Sequence, residues 1–174
     1  SLFEHDDAAT FSAERLAGAV RTNVAAPVLL AQALRDQLPP DAQGVVINLL
    51  DQKLFNPNPD FLSYTLSKAA LQEATRLLAV ALAPRVRVVG VAPGLTMVSG
   101  DQSAEGFERA HTRTPLGRSS TPADIAQAVV YLAKAPAVTG TTLLVDGGQH
   151  LVPSERDVMF LTEPPQAADA GSNG

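Results

Sequence analysis

The chain has 174 residues, 45% of them hydrophobic and 18% charged, with a formal net charge of −5; that suffices for one globular domain with a real core. An acidic balance without a basic stripe argues against nucleic-acid binding, no apolar run approaches the ~20 residues of a membrane span, and Glu4, Asp6 and Asp7 stand where a signal peptide would be basic and then apolar. The absence of cysteine removes disulfides and thiolate chemistry and fits a cytoplasmic setting, while His5, His111 and His150 lie far apart, without the spacing of metal ligands.

Residues 13–38 place Leu16, Val20, Val24, Val28, Leu29 and Leu34 at helical spacing and stop at Pro39 and Pro40, which predicts an amphipathic helix. After a turn over 41–44, the continuous apolar run 45–50 reads as a strand buried on both faces, as in a parallel sheet. Residues 51–60 are expected to be irregular, because Asn56, Pro57, Asn58 and Pro59 forbid a helix. A long helix rich in Ala and Leu follows over about 61–82. The next strand covers 86–91 and closes with Ala92, Pro93 and Gly94. A polar stretch from Thr96 to Glu105 leads to a short helix at 105–112. From Ser120 to Asp124 a hydroxyl cap, a first-turn proline and an early acid come together, so a helix is predicted from there to about Ala133. The last strand, 141–145, ends at Asp146, where Gly147 and Gly148 permit a tight turn. Residues 162–174, rich in Pro, Ala and Gly, are expected to form a flexible tail.

Helix and strand alternate, which implies an α/β fold: a Rossmann-like, doubly wound parallel sheet with helices on both faces, built from residues 1–161. Such sheets hold dinucleotides on a Gly-rich turn after the first strand, at a helix amino terminus. No such glycine cluster occurs, and the pattern opens with a helix. The expectation is that the amino-terminal nucleotide-binding half is absent from this chain. An amino-terminal fragment of roughly 80–100 residues, at ~30 per strand–helix unit, would complete the fold.

Tyr64 and Lys68 stand four apart near the start of the helix over 61–82, on one face. A phenol with a pKa near 10 is a poor acid or base at neutral pH. An ammonium beside it favours the phenolate, so the pair can give and recover a proton. The same spacing also arises by chance, with Tyr64 a half-buried helix residue and Lys68 a solvated one. The surroundings favour chemistry. The pair follows a buried strand and a Pro-rich loop; a strand ending in Pro-Gly and another ending in Asp-Gly-Gly come after it.

From about residue 13 to 150 this succession resembles the short-chain dehydrogenase/reductase family. The resemblance implies that Tyr64 donates a proton and that Lys68 binds the nicotinamide ribose and lowers the Tyr64 pKa. It also implies that Asn23, in Thr22-Asn23-Val24, holds a water of the proton relay; a polar residue in mid-helix is the plainer reading. Pro93, Gly94, Leu95 and Thr96 match the turn that closes over the nicotinamide, with Thr96 on its carboxamide, although Pro-Gly is also an ordinary turn.

Asp51 stands thirteen residues before Tyr64, where the family carries a serine. That substitution, with the segments 65–71 and 90–96, is similar to the pteridine reductases, in which an Asp and the Tyr supply protons to a reduced pterin ring. A carboxylic acid raised in pKa by an apolar wall can carry such a proton, and Leu49, Leu50, Leu54 and Phe55 are candidates for the wall; otherwise Asp51 is a solvated loop acid. The resemblance thus implies a catalytic set of Asp51, Tyr64, Lys68 and Asn23. Cofactor contacts are expected from Leu49, Tyr64, Lys68, Pro93, Gly94, Leu95 and Thr96. NADPH (NADP) is the implied cofactor, a pterin-like heterocycle the substrate, and a homo-oligomer, dimer or homotetramer, the assembly, paired through helices 13–38 and 61–82. Two other readings stay open: a short-chain dehydrogenase for another carbonyl or alcohol, with Asp51 merely replacing Ser, and a cofactor-free binding or scaffold subunit.

Overall fold

Three parallel strands, β1 (Gly44–Leu49), β2 (Val86–Pro93) and β3 (Thr142–Val145), lie side by side in that order. Val46 faces Val88 across the first ladder, and Pro93 faces Val145 across the second. The computed structural model describes residues 1–98 and 103–162. Apart from Thr162 the expected flexible tail lies outside them, as does part of the polar stretch after Thr96.

β2 is the central strand, and its apolar run reflects that position: Val86, Val88, Val89, Val91 and Ala92 are all buried. Alternate side chains serve opposite faces. On one face Val86 and Val88 pack with Ala31, Ala79 and Leu82, which belong to α2 (Ala26–Gln37) and to α3 (Leu62–Ala81) and its carboxyl end. On the other, Val89 and Val91 pack with Ala128 and Leu132 of α5 (Pro122–Lys134). Each buried Val contributes about 1.5–3 kcal/mol. β1 departs from the expectation of a strand buried on both faces. Val45, Val46 and Ile47 are only half-buried and Leu49 is 51% exposed, because among the described residues β1 pairs with β2 alone and forms the sheet edge.

The helix expected over 13–38 is one continuous rod with a defect. α1 (Ala13–Val20) is capped by the Ser12 hydroxyl, the chain then makes a π turn over Arg21–Ala25, and α2 completes it. α5 starts where the hydroxyl, proline and acid predict. The Thr121 hydroxyl accepts from the Asp124 N–H and the Asp124 carboxylate accepts from the Thr121 N–H. Its last carbonyls are collected by the Arg87 guanidinium, which donates to Leu132 and Ala133. α3 and α5 lie on opposite faces while the strands advance in one direction, so the two crossovers are of opposite hand, one against the usual right-handed rule. Further on come α4 (Ala104–Thr112) and a short terminal helix, α6 (Val158–Thr162), packed on it. No helix among the described residues is long and apolar enough to cross a membrane.

Candidate active site

Open parallel sheets place ligands outside the carboxyl ends of their strands. Just beyond β1, Asp51 caps a 3-10 turn (Gln52–Phe55), its Oδ1 accepting from the Lys53 N–H at 2.9 Å. Its Oδ2 accepts a hydrogen bond from the Tyr64 hydroxyl at 2.7 Å. One turn along α3, Lys68 donates from Nζ to the Leu49 carbonyl at 2.7 Å, with Nζ 5.6 Å from the Tyr64 ring centroid. The sequence separations place these three groups together only because α3 starts where it does. Its start is held in an unusual way. Phe61, the residue before the helix, adopts φ 55° and offers no capping side chain, a strained conformation for a bulky residue. The cap comes from elsewhere in the chain: the Asp6 carbonyl accepts from the Leu62 N–H, and its buried carboxyl accepts from the N–H and the hydroxyl of Ser63.

Burial pushes the Asp51 carboxyl above the ordinary value of 3.8, against the pull of the Lys53 N–H, the Tyr64 hydroxyl and the Lys68 charge. Burial, then the neighbouring Asp51 charge, pushes the Tyr64 phenol upward as well. Burial lowers the Lys68 ammonium, and Asp51 opposes that. The implied lowering of Tyr64 by Lys68 is therefore absent from this arrangement, because the ammonium bonds the Leu49 carbonyl while a carboxyl holds the phenol. Tyr64 stays a neutral donor and Asp51 is biased toward its acid form. Of the apolar wall expected for Asp51, Leu50 is buried with Leu54 packed against its cluster, while Leu49 and Phe55 are exposed.

A cleft of about 540 Å³ collects these groups, within the range of small-molecule sites. Leu49, Asp51, Tyr64, Lys68, Pro93, Gly94, Leu95 and Thr96 all line it. Gly94 sits so close to Asp146 that a Cβ would lie 2.8 Å from its Cα, which holds the turn against the end of β3. Leu95 donates its N–H to Gln149, and the Thr96 hydroxyl bonds Ser120 and the Gly94 carbonyl. Asn23 is not in the cleft wall. It sits buried in the π turn, where its amide donates to the Ser67 hydroxyl at 2.9 Å and to the Leu2 carbonyl, and accepts from the Leu2 N–H. π turns recur at functional sites, and here the turn fastens the first residues of the chain to α3.

Sequence reasoning missed Phe3, Gln52, Asp157, Val158 and Met159, which also line the cleft. Phe3 stacks on Phe61 at 4.2 Å and meets the Tyr64 ring edge-on at 4.7 Å, yet is 37% exposed. No local motif marks these residues, since the fold brings them in from before α1 and after β3. Gln52, beside Asp51, was within reach of inspection.

A family model described as Enoyl-(Acyl carrier protein) reductase matches residues 2–150. Carbonyl reductase family member 4 from Danio rerio is 38% identical over 142 residues, 80% of this chain and 58% of the relative. Dihydromonapterin reductase from Enterobacter sp. is 31% identical over 87% of this chain and 64% of its own length. Among solved structures, FolM alternative dihydrofolate reductase 1 from Brucella suis, in complex with NADP, aligns with a TM-score of 0.85 and 39% identity, over 97% of this chain and 64% of that one. The chain thus spans between about half and two thirds of the length of these relatives.

Proposed function

Since the chain belongs to the short-chain dehydrogenase/reductase family, we propose that it carries the proton-donating part of an NADPH-dependent reductase acting on a pterin or a similar flat heterocycle. The observation that carries this reading is the hydrogen bond between the Tyr64 hydroxyl and the raised Asp51 carboxyl inside the cleft. The relatives named for dihydromonapterin and dihydrofolate support it.

The donor set fits a nicotinamide ribose. An ammonium carries three N–H donors, and Lys68 lines the cleft while giving one to Leu49. With Tyr64 and the turn Pro93–Thr96, Lys68 would hold the nicotinamide end of NADPH. The pyrophosphate needs a Gly-rich turn, so we assign it to an amino-terminal fragment that completes the site beside the edge of β1. When bound, NADPH supplies the hydride. Tyr64 would then deliver its hydroxyl proton to the substrate nitrogen and take another from the protonated Asp51, the hydrogen bond between them reversing direction, and Asp51 would regain its proton from water. Phe3 presents a ring face against which a flat heterocycle packs, and Leu50 keeps water from one side of the acid. Exposed Leu29 and Leu30 of α2, with Leu77 and Val80 of α3, support a homo-oligomer.

The test is reduction of a dihydropterin by the full-length protein, followed by NADPH absorbance. The expected result is turnover that falls about 10²–10⁴-fold in Tyr64→Phe and in Asp51→Asn, the usual worth of a positioned proton donor. Reduction of simple carbonyls without any pterin turnover would move the assignment to a carbonyl reductase. A folded full-length protein that binds no NADPH would leave the scaffold reading in its place.

A further inference from the structure

The described chain ends in a segment that returns to the loop carrying Asp51. Arg156 forks onto Asp60, with Nε to Oδ2 at 2.8 Å and Nη2 to Oδ1 at 2.7 Å, and the Asp157 N–H donates to the same carboxylate at 2.7 Å. Asp60 is 2% exposed. A second pin lies seven residues earlier along the loop. Lys53, 3% exposed, donates from Nζ to Asp157 Oδ2 at 3.1 Å and to Asn58, and sits over the Phe61 ring at 5.3 Å. Phe160 stacks on Phe61 and meets His5 edge-on. Desolvating an ammonium is costly unless partners replace the water. A lysine buried this deeply, bonded to a segment more than a hundred residues distant, holds that segment in one place. That place is the cleft: Val158 and Met159 face it beside Phe3, Asp51 and Tyr64.

We propose that residues 154–161 are the outer wall of the substrate cleft, with Val158 and Met159 setting the size of heterocycle admitted, and that Lys53 and Asp60 are positioning residues that fix this wall to the loop bearing Asp51. The size-setting part rests on the reading of the cleft as a substrate site; the pinning part does not. Each pin joins the wall to the loop that places the acid, so the width of the cleft and the placement of the proton donor are set together.

Two measurements on the full-length protein test this. In Lys53→Met and in Asp60→Asn, amide hydrogen exchange over 157–161 is expected to rise at least tenfold while the strands keep their protection; in Lys53→Arg it is expected to return most of the way. Unchanged exchange over 157–161 would overturn the pinning role. In Met159→Ala and Val158→Ala, the ratio of kcat/KM for a bulky 6-substituted dihydropterin to that for an unsubstituted one is expected to rise at least fivefold, through KM more than kcat. An unchanged ratio would overturn the wall. A wild-type protein that reduces no pterin would overturn the functional reading instead, and the exchange result then decides the pinning by itself.

Discussion

A carboxyl that donates a proton works only below its own pKa, and burial has moved that of Asp51 upward. The donor form is present at low pH and is lost as pH rises through the folded value, so on the proposed function Asp51 is expected to set an alkaline limb on turnover. The charged or titrating groups that face it are Tyr64 and Lys68 of α3 and Asp157 of the terminal segment. The Asp157 charge adds to the upward push, and removing it in Asp157→Asn is expected to bring the alkaline limb to lower pH; a pH profile of kcat checks this, and a limb that stays in place would mean that Asp51 does not feel Asp157. At this scale the sequence is informative where function is contiguous. Asp51, Tyr64, Lys68 and the turn Pro93–Thr96 lie in two short segments whose spacing survives folding. Asp6, Phe3 and Asp157 act through tertiary proximity alone, and nothing in their neighbours along the chain marks them.

Elements behave similarly, with one instructive exception. The start of α5 is legible because its cap is local, Thr121 and Asp124 being three apart. α3 lacks a cap of its own and takes one from Asp6, fifty-seven residues upstream, so inspection of its own sequence finds only Phe61. Replacing Asp6 by Ala removes an acceptor from a buried helix end and is expected to cost about 2 kcal/mol, lowering Tm by about 4–8 °C for a domain of this size. Thermal unfolding of the full-length variant measures it, and a loss under about 1 °C would show the cap to be idle. The π turn within the first helix is invisible in the hydrophobic pattern, because Val20, Val24 and Val28 keep apolar spacing straight through it. α6 has no mark in the sequence, since its five residues take their place from distant parts of the chain: the helix packs on α4 and Phe160 stacks on Phe61.

The whole molecule depends on charge where its terminal segment meets the rest. Burial pushes Asp60 upward, but Arg156, the Asp157 N–H and His5 outweigh it and take the carboxyl from 3.8 to about 2. A depressed carboxylate stabilises the fold above its unfolded pKa and loses that contribution as pH falls through the folded value. The segment is thus expected to loosen between about pH 4 and pH 2, read as growing susceptibility of the Phe160–Leu161 bond to pepsin. Asp60→Asn should be cleaved with little change across that window. The parallel order of strands and helices was readable from alternation, whereas the opposite hands of the two crossovers were not, since handedness has no counterpart in a hydrophobic pattern. The Asp6 cap and the Lys53 pin also fix an order in time. The parallel pairings join residues 42 and 52 apart, Gly44 with Val86 and Gly90 with Thr142, but Tyr64 has its final setting only once residues from before α1 and after β3 have both come back to it. On a ribosome, the segment that closes the cleft emerges after the last strand, so the wall beside Asp51 and Tyr64 is the last part of the site that synthesis supplies.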